Sequence, residues 1–293
     1  MKINKPQLAL VLGIVCISIF PVLVRLHYTN GLISAFYRMF IATLLLLPYV
    51  IIFKKFQLPA LKNLIPAVIC GIVFATDIAV WNIAIQESTA TQATLLSNLS
   101  PVWLGIGSFL FLKNKAAVNF WIGTVVALFG MVVFMGFETI SLFHFDTAFF
   151  LAVLSGVLYA NYLLISKNIL SKIEVLSFMT IVLIAASLFL GFICWIFHET
   201  FTGFSTTAWL VLFIQGAVCQ LTAWLLISYA TQHLRATRIS ISLLGQAVLA
   251  TFLAWLFLDE KINWHMIIGG IFLLLGIRIT FLNQPVWSKK LKS

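Results

Sequence analysis

Apolar residues run through this chain in long blocks, each interrupted by a charge, a Gly or Pro, or an Asn. Ten blocks are long enough to cross the hydrocarbon core of a bilayer as a helix, which takes about 20 residues. They lie at roughly 8–27, 31–53, 63–85, 89–112, 118–137, 146–167, 175–197, 207–231, 235–258 and 264–283. The connections are short, and the longest run from Glu138 to Phe145 and from His198 to Thr206. Lys2 and Lys5 precede the first block as they would in a signal peptide. That block continues past Pro21 with no small-residue cleavage site, so it reads as an uncleaved first span.

Composition sharpens this picture. Of 293 residues 62% are apolar and 9% charged, where soluble domains carry about 25% charged and roughly 45–50% apolar residues. A water-soluble body of this size could not hide so much apolar surface. Ten spans also leave no stretch for a separate soluble domain. The fold class is therefore an all-α integral membrane protein of ten transmembrane helices.

The net charge of +10 would suggest nucleic acid only if the basic residues formed one patch. They sort instead with the topology. With the N-terminus inside, all of the 18 Lys and Arg residues except Arg25, Arg38 and Lys261 fall in inside loops or tails. Glu87, Glu138, Asp146, Glu199, Asp259 and Glu260 fall outside. The bias predicts a multi-pass protein of the cell inner membrane with both termini cytoplasmic, and no nucleic-acid partner. Cys16, Cys70, Cys194 and Cys219 sit in apolar runs without CxxC spacing and read as free thiols. None of His27, His144, His198, His233 and His265 has an HExxH partner, so neither a metal nor a cofactor is expected.

Shifting the sequence by 146 residues lays 90–134 onto 236–280. Identities then fall at Ala90/Ala236, Thr91/Thr237, the Leu110-Phe111-Leu112 and Leu256-Phe257-Leu258 blocks, Lys115/Lys261, Gly123/Gly269 and Gly130/Gly276. The chain thus divides into two repeats of five spans, 1–143 and 144–293. Five is odd, so the halves have opposite orientation in the membrane. Such inverted repeats are a transporter architecture, with the substrate site near the midplane.

These residues resemble the EamA-type drug/metabolite transporters, a ten-helix family. Ala35-Phe36-Tyr37-Arg38 through Ala42 to Leu47-Pro48 is similar to the family's aromatic-x-Arg helix. Asn98-Leu99-Ser100-Pro101-Val102 is similar to its Ser-Pro-Val helix, and Trp121-Ile122-Gly123 to Gly130 to its fifth. Lys113-Asn114-Lys115 stands where the family has Gly-Glu-Arg/Lys, and Leu258-Asp259-Glu260-Lys261 matches that feature more closely. Helix nine departs from the pattern, with Gln246-Ala247 in place of an acidic-Pro or Ser-Pro pair. The resemblance implies a central cavity between the halves, alternating access, and mostly export of small metabolites. It also implies that helices five and ten form a packing seam or a homodimer seam.

Asp77 is the only acid deep in a span, and Arg38 lies at a matching depth, about 10–12 Å from the outer surface at 1.5 Å per residue. Charges at such depth face a partner or a wet cavity. The two are expected to face the cavity, as a permanent ion pair, a structural pair or a protonation switch for proton coupling. Arg25, at a span end, snorkels to the interface. Trp81 and Asn82, Asn98 and Trp103, Tyr159, Asn161 and Tyr162, Gln220 and Trp224, and Gln246 add aromatic and amide groups on helices three, four, six, eight and nine. Individually they could be interface anchors and interhelical glue. As a set they predict a cavity for an amino, quaternary ammonium or aromatic compound. Pro21 and Pro101 interrupt spans one and four as gating kinks; the second half has no proline within its spans, which predicts unequal motion of the halves.

No Walker A sequence is present, so ATP does not drive the chain directly. An enzyme is not expected, since Ser97, Ser100 and Ser155 have no evident His or Asp partner at their depth. A lipid flippase or a structural subunit of a membrane complex is the alternative. The first needs a laterally open polar groove, and the second has little use for two charges at one depth.

Overall fold

The computed structural model describes residues 4–24, 26, 28–87, 90–111, 116–136 and 145–282. Arg25, His27, Glu138, His144, Lys113-Asn114-Lys115 and the tail lysines lie outside the described residues. All the regular structure within it is helical: α1 Lys5–Val24, α2 Gly31–Ile52, α3 Leu61–Glu87, α4 Ala90–Ser97, α5 Ser100–Phe111, α6 Val118–Met135, α7 Thr147–Leu170, α8 Val175–Ile196, α9 Thr206–Ile214, a π-helical segment Gln215–Thr222, α10 Ala223–His233, α11 Ala236–Leu243, α12 Gly245–Leu258 and α13 Trp264–Thr280. Among the described residues eight spans, with α9 through α10 counted as one and α11–α12 as another, are long and apolar enough to cross a membrane. The α4–α5 pair and the shorter apolar α13 complete the ten. Leu188, Trp195, Val125 and Phe257 are largely exposed on the outside of the bundle, where lipid rather than water suits them.

The helices pack as the repeat requires. Span three rests on span six, and its repeat mate, span eight, rests on span one. Span four packs on six as nine packs on one, and spans two and seven pack on each other. The most extensive contact joins α6 to α13, spans five and ten. There the small residues pair across the symmetry: Gly123 lies against Gly276, and Gly130 against Gly269. A Cβ on Gly276 would sit 2.5 Å from the Ala127 nitrogen and 2.6 Å from the Gly123 oxygen, so the backbones meet with nothing between them. Spans five and ten thus form a packing seam within the chain.

Three spans are irregular. Span four breaks at Asn98–Leu99, where Leu99 N–H donates to Leu96 O at 3.2 Å and Pro101 occupies the first turn of α5. Span nine breaks at the same depth through the same short-range pattern, Leu244 N–H to Ile241 O at 3.2 Å, with Gly245 following and no proline. A proline is thus not required for this break. Pro21, by contrast, is carried inside α1, which continues to Val24. In span eight the π segment carries Gly216 against α2, and a Cβ there would meet Ile41 Cβ at 2.7 Å.

Adding one methyl group tests the seam. Gly276→Ala is expected to lower the melting temperature in detergent, at a cost of roughly 1–3 kcal/mol for overpacking. Gly245→Ala, whose Cβ would meet only Ile277 Cδ1 at 3.4 Å, should leave it nearly unchanged.

Candidate functional site

The polar residues buried at the centre come from α2, α3, α7 and the span that contains the π segment. Asp77, on α3, is 7% exposed, and Arg38, on α2, is 5% exposed. They do not close into an ion pair. Ser155 Oγ, on α7, donates to Asp77 Oδ1 at 2.6 Å. The Arg38 guanidinium lies over the Phe20 ring at 4.4 Å, within electrostatic reach of Asp77, Tyr159 and Cys219. The Ser155–Asp77 bond corrects the expectation that Ser155 lacks an acidic partner. Both residues lie eight or nine positions from the same end of their spans, and the packing of span three on span six brings them together.

Beside Asp77 four aromatic rings interlock. Phe74, one turn earlier on α3, stacks on Tyr162 at 4.5 Å and meets Trp224 edge-on at 4.7 Å. Tyr159 stands 6.3 Å from Trp224 and 6.4 Å from Tyr162.

The π segment supplies the opposite wall. Gly216 lets it approach the backbone at Arg38, and Gln215 accepts from Ser34 Oγ at 2.7 Å. Gln220, fully buried, has neither amide atom hydrogen-bonded, and the same holds for Arg38 Nε and Trp224 Nε1 nearby. Trp103 Nε1 on α5 and Ser240 Oγ on α11 are likewise buried without a partner. Such groups cost about 1–3 kcal/mol each when left unpaired. Native interiors hold few of them, and π segments concentrate at functional sites.

Other predicted residues stand apart from this group. Asn82 and Asn161 donate back to Ile78 O and Val157 O on their own helices at 2.8 and 3.0 Å, and Asn82 packs against Gly31. Trp81 is half-buried one turn beyond Asp77, Asn98 sits in the α4–α5 break, and the Gln246 carbonyl accepts from Ser18 Oγ at 3.4 Å. Among the described residues no group of His, Cys, Asp and Glu could hold a metal ion. Phe20 and Phe74 join the centre without having been singled out in the sequence, and Ser155 joins it as the partner of Asp77.

Both ends of the bundle are tied. At the acidic end Asn30 Nδ2 donates to Glu199, and Tyr37 OH donates to Phe201 O at 2.6 Å. At the basic end Lys167 Nζ donates to Thr231 O and Gln232 O at 2.8 and 2.9 Å, capping the C-terminus of α10. A cavity of about 420 Å³ between Gln57–Asn63, Ser171–Ser177 and Gln232 also lies at that end, away from the central residues.

The sequence matches one transporter family twice, over residues 4–136 and 146–282. The chain belongs to the EamA-like transporter family. Two curated relatives with nearly full-length matches carry transporter names without a substrate. The uncharacterized transporter YdfC of Bacillus subtilis is 22% identical over 87% of this chain and 83% of its own length. An uncharacterized transporter of Archaeoglobus fulgidus is 25% identical over 85% of this chain and 87% of its own. The S-adenosylmethionine uptake transporter of Rickettsia prowazekii is 25% identical over 49% of this chain and 47% of its own. A solved crystal structure superposes with a TM-score of 0.79 at 15% identity, covering 94% of this chain and 96% of that one, and shares the fold. The EamA-like repeat thus runs through both halves, and the central residues above lie where the halves meet.

Ser155→Ala should destabilise the protein by about 1–3 kcal/mol, because it strips the Asp77 carboxyl group of its hydrogen bond. Thermal unfolding in detergent measures this. The same substitution in an Asp77→Asn background should cost clearly less, as residues in one hydrogen-bond pair are not additive.

Proposed function

We propose that this EamA-like protein is a secondary active transporter of the plasma membrane, with both termini cytoplasmic, that moves a small amine, amino acid or related compound by alternating access. One observation carries the reading: a carboxyl group with no cation at ion-pair distance, four aromatic rings and three unpartnered polar groups gather around one depth of the bundle. A substrate ammonium, or another organic cation, would sit between Asp77 and the ring faces, where each cation–π contact contributes about 0.5–2 kcal/mol. Arg38, Gln220 and Trp224 offer donors for an acceptor or anionic group on the same molecule. The relative named for S-adenosylmethionine uptake fits this chemistry, since that compound joins a sulfonium, an amino-acid group and an aromatic base.

Asp77 is also our candidate for proton coupling, because protonation removes the charge that holds the cation. Export is the direction we assign, from the family resemblance. The ties at both ends enclose the centre, so loading and release each require one set to open: Asn30–Glu199 and Tyr37–Phe201, or Lys167 with Thr231 and Gln232.

The test is the melting temperature of detergent-solubilised protein across a panel of amines, amino acids and S-adenosylmethionine, for wild type and Asp77→Asn. A ligand at about 100 times its Kd adds roughly 2.7 kcal/mol of stability. The expected result is a shift with one cationic class that Asp77→Asn abolishes. No shift from the panel, together with a lipid shift that Asp77→Asn abolishes, would replace this reading with lipid flipping.

A further inference from the structure

A second cavity, of about 310 Å³, opens at the basic end between the starts of α6 and α11 and the end of α13. Arg235, Arg238, Thr237, Asn119 and Thr280 supply its polar lining, and Phe120 and Leu282 part of its apolar wall. It is remote in the fold from Asp77 and the aromatic centre, so transport as read above does not use it.

Three features give it a chemical preference. Among the described residues, the two charged ones in its lining are both cationic and no acid lines it. Of the eight acids in the chain only Glu174 sorts to this end, and it lines the other cavity. Arg238 is held in place, with its Nε donating to Thr280 O at 3.2 Å and its guanidinium 5.2 Å from the centre of the Phe281 ring, while Arg235 stands exposed at the rim. Both helices that start here lack a side-chain cap, α6 after Ala117 and α11 after Arg235, so their first-turn N–H groups and dipoles face the same region.

The charge is not repeated in the other half, whose matching positions fall at the opposite end of the bundle. Shifted by 146 residues, Ala90-Thr91 aligns with Ala236-Thr237, but the flanking positions read Thr89 and Gln92 in the first half against Arg235 and Arg238 in the second. The Ala-Thr pair thus recurs in both halves, and the two arginines stand in one. Thr280, in the lining, also touches the seam: a Cβ on Gly123 would meet its Cγ2 at 2.5 Å. A ligand here would therefore bridge spans five, nine and ten.

We propose that this cavity binds the phosphate of an anionic phospholipid headgroup, with Arg235 and Arg238 as its cationic partners and Phe120 and Leu282 against the glycerol and first acyl carbons. Basic pockets between spans on the cytoplasmic side suit such headgroups. Occupancy would staple the seam between the halves from the membrane side.

Thermal unfolding of the full chain in zwitterionic detergent tests this with phosphatidylglycerol, phosphatidylcholine or inorganic phosphate added. Phosphatidylglycerol should raise the melting temperature where phosphatidylcholine does not. R235Q/R238Q should weaken its apparent affinity roughly 25-fold, at about fivefold per arginine. R235Q alone, at the exposed rim, gives the same direction if the double variant fails to fold, and K172Q serves as a charge control at the same end. An equal shift by millimolar inorganic phosphate, lost in R235Q, would keep the site and assign it to free phosphate. Equal effects of the two lipids, or a phosphatidylglycerol shift that survives R235Q and R235Q/R238Q alike, would overturn the proposal.

Discussion

Taking an ionisable side chain into the interior of an apolar bundle costs several kcal/mol unless neighbouring groups replace the water it loses. Asp77 and Arg38 are both taken in, at one depth, and they are not spent on each other. Asp77 leans on the Ser155 hydroxyl and Arg38 on the face of Phe20. Each is thereby held in place while its capacity for a full counter-charge is retained. The rest of the centre is arranged around that condition, with stacked rings beside the carboxyl group and unpartnered amide and indole groups beside the guanidinium.

Holding such groups apart requires a rigid frame, and the glycine seam provides part of it. Spans five and ten meet backbone to backbone through Gly123/Gly276 and Gly130/Gly269, pairs related by the internal repeat. In lipid no hydrophobic force drives helices together, so close approach and dispersion have to serve instead. The same symmetry returns in the breaks of spans four and nine. It fails in span eight, where the π segment places Gln215 and Gly216 against α2. The halves share a scaffold and differ in the chemistry mounted on it: Asp77 in the first falls, by the repeat offset, at Ala223 in the second, next to Trp224.

Much of this was legible in the residue string, because a membrane span is written in composition and length. The ten blocks and the two repeats survive as packed elements. Arg38, Asp77, Tyr159, Tyr162, Gln220 and Trp224 are brought together as a set. Asn82 and Asn161 are not, since an amide can satisfy itself on the preceding turn of its own helix, and sequence carries no sign of that choice. The π segment has no compositional signature either; Gly216 beside Gln215 is its only trace. The break in span nine was hidden because no proline marks it: by the repeat offset Pro101 falls at Ala247. Ser155 could have been found by counting residues from the span ends, which places it at the depth of Asp77.

The central claim is that the buried groups on the π segment face a path that opens to each side of the membrane in turn. Labelling of Gln220→Cys by a membrane-impermeant thiol reagent addresses it most directly, in a background with Cys16, Cys70, Cys194 and Cys219 replaced by Ala. Glu199→Cys serves as a one-sided control. The account predicts that position 220, fully buried in this structure, is labelled from both sides of sealed vesicles. It also predicts protection when a compound that raises the melting temperature is present. Labelling of Glu199→Cys with no reaction at position 220 from either side would contradict it and leave Gln220 a structural amide.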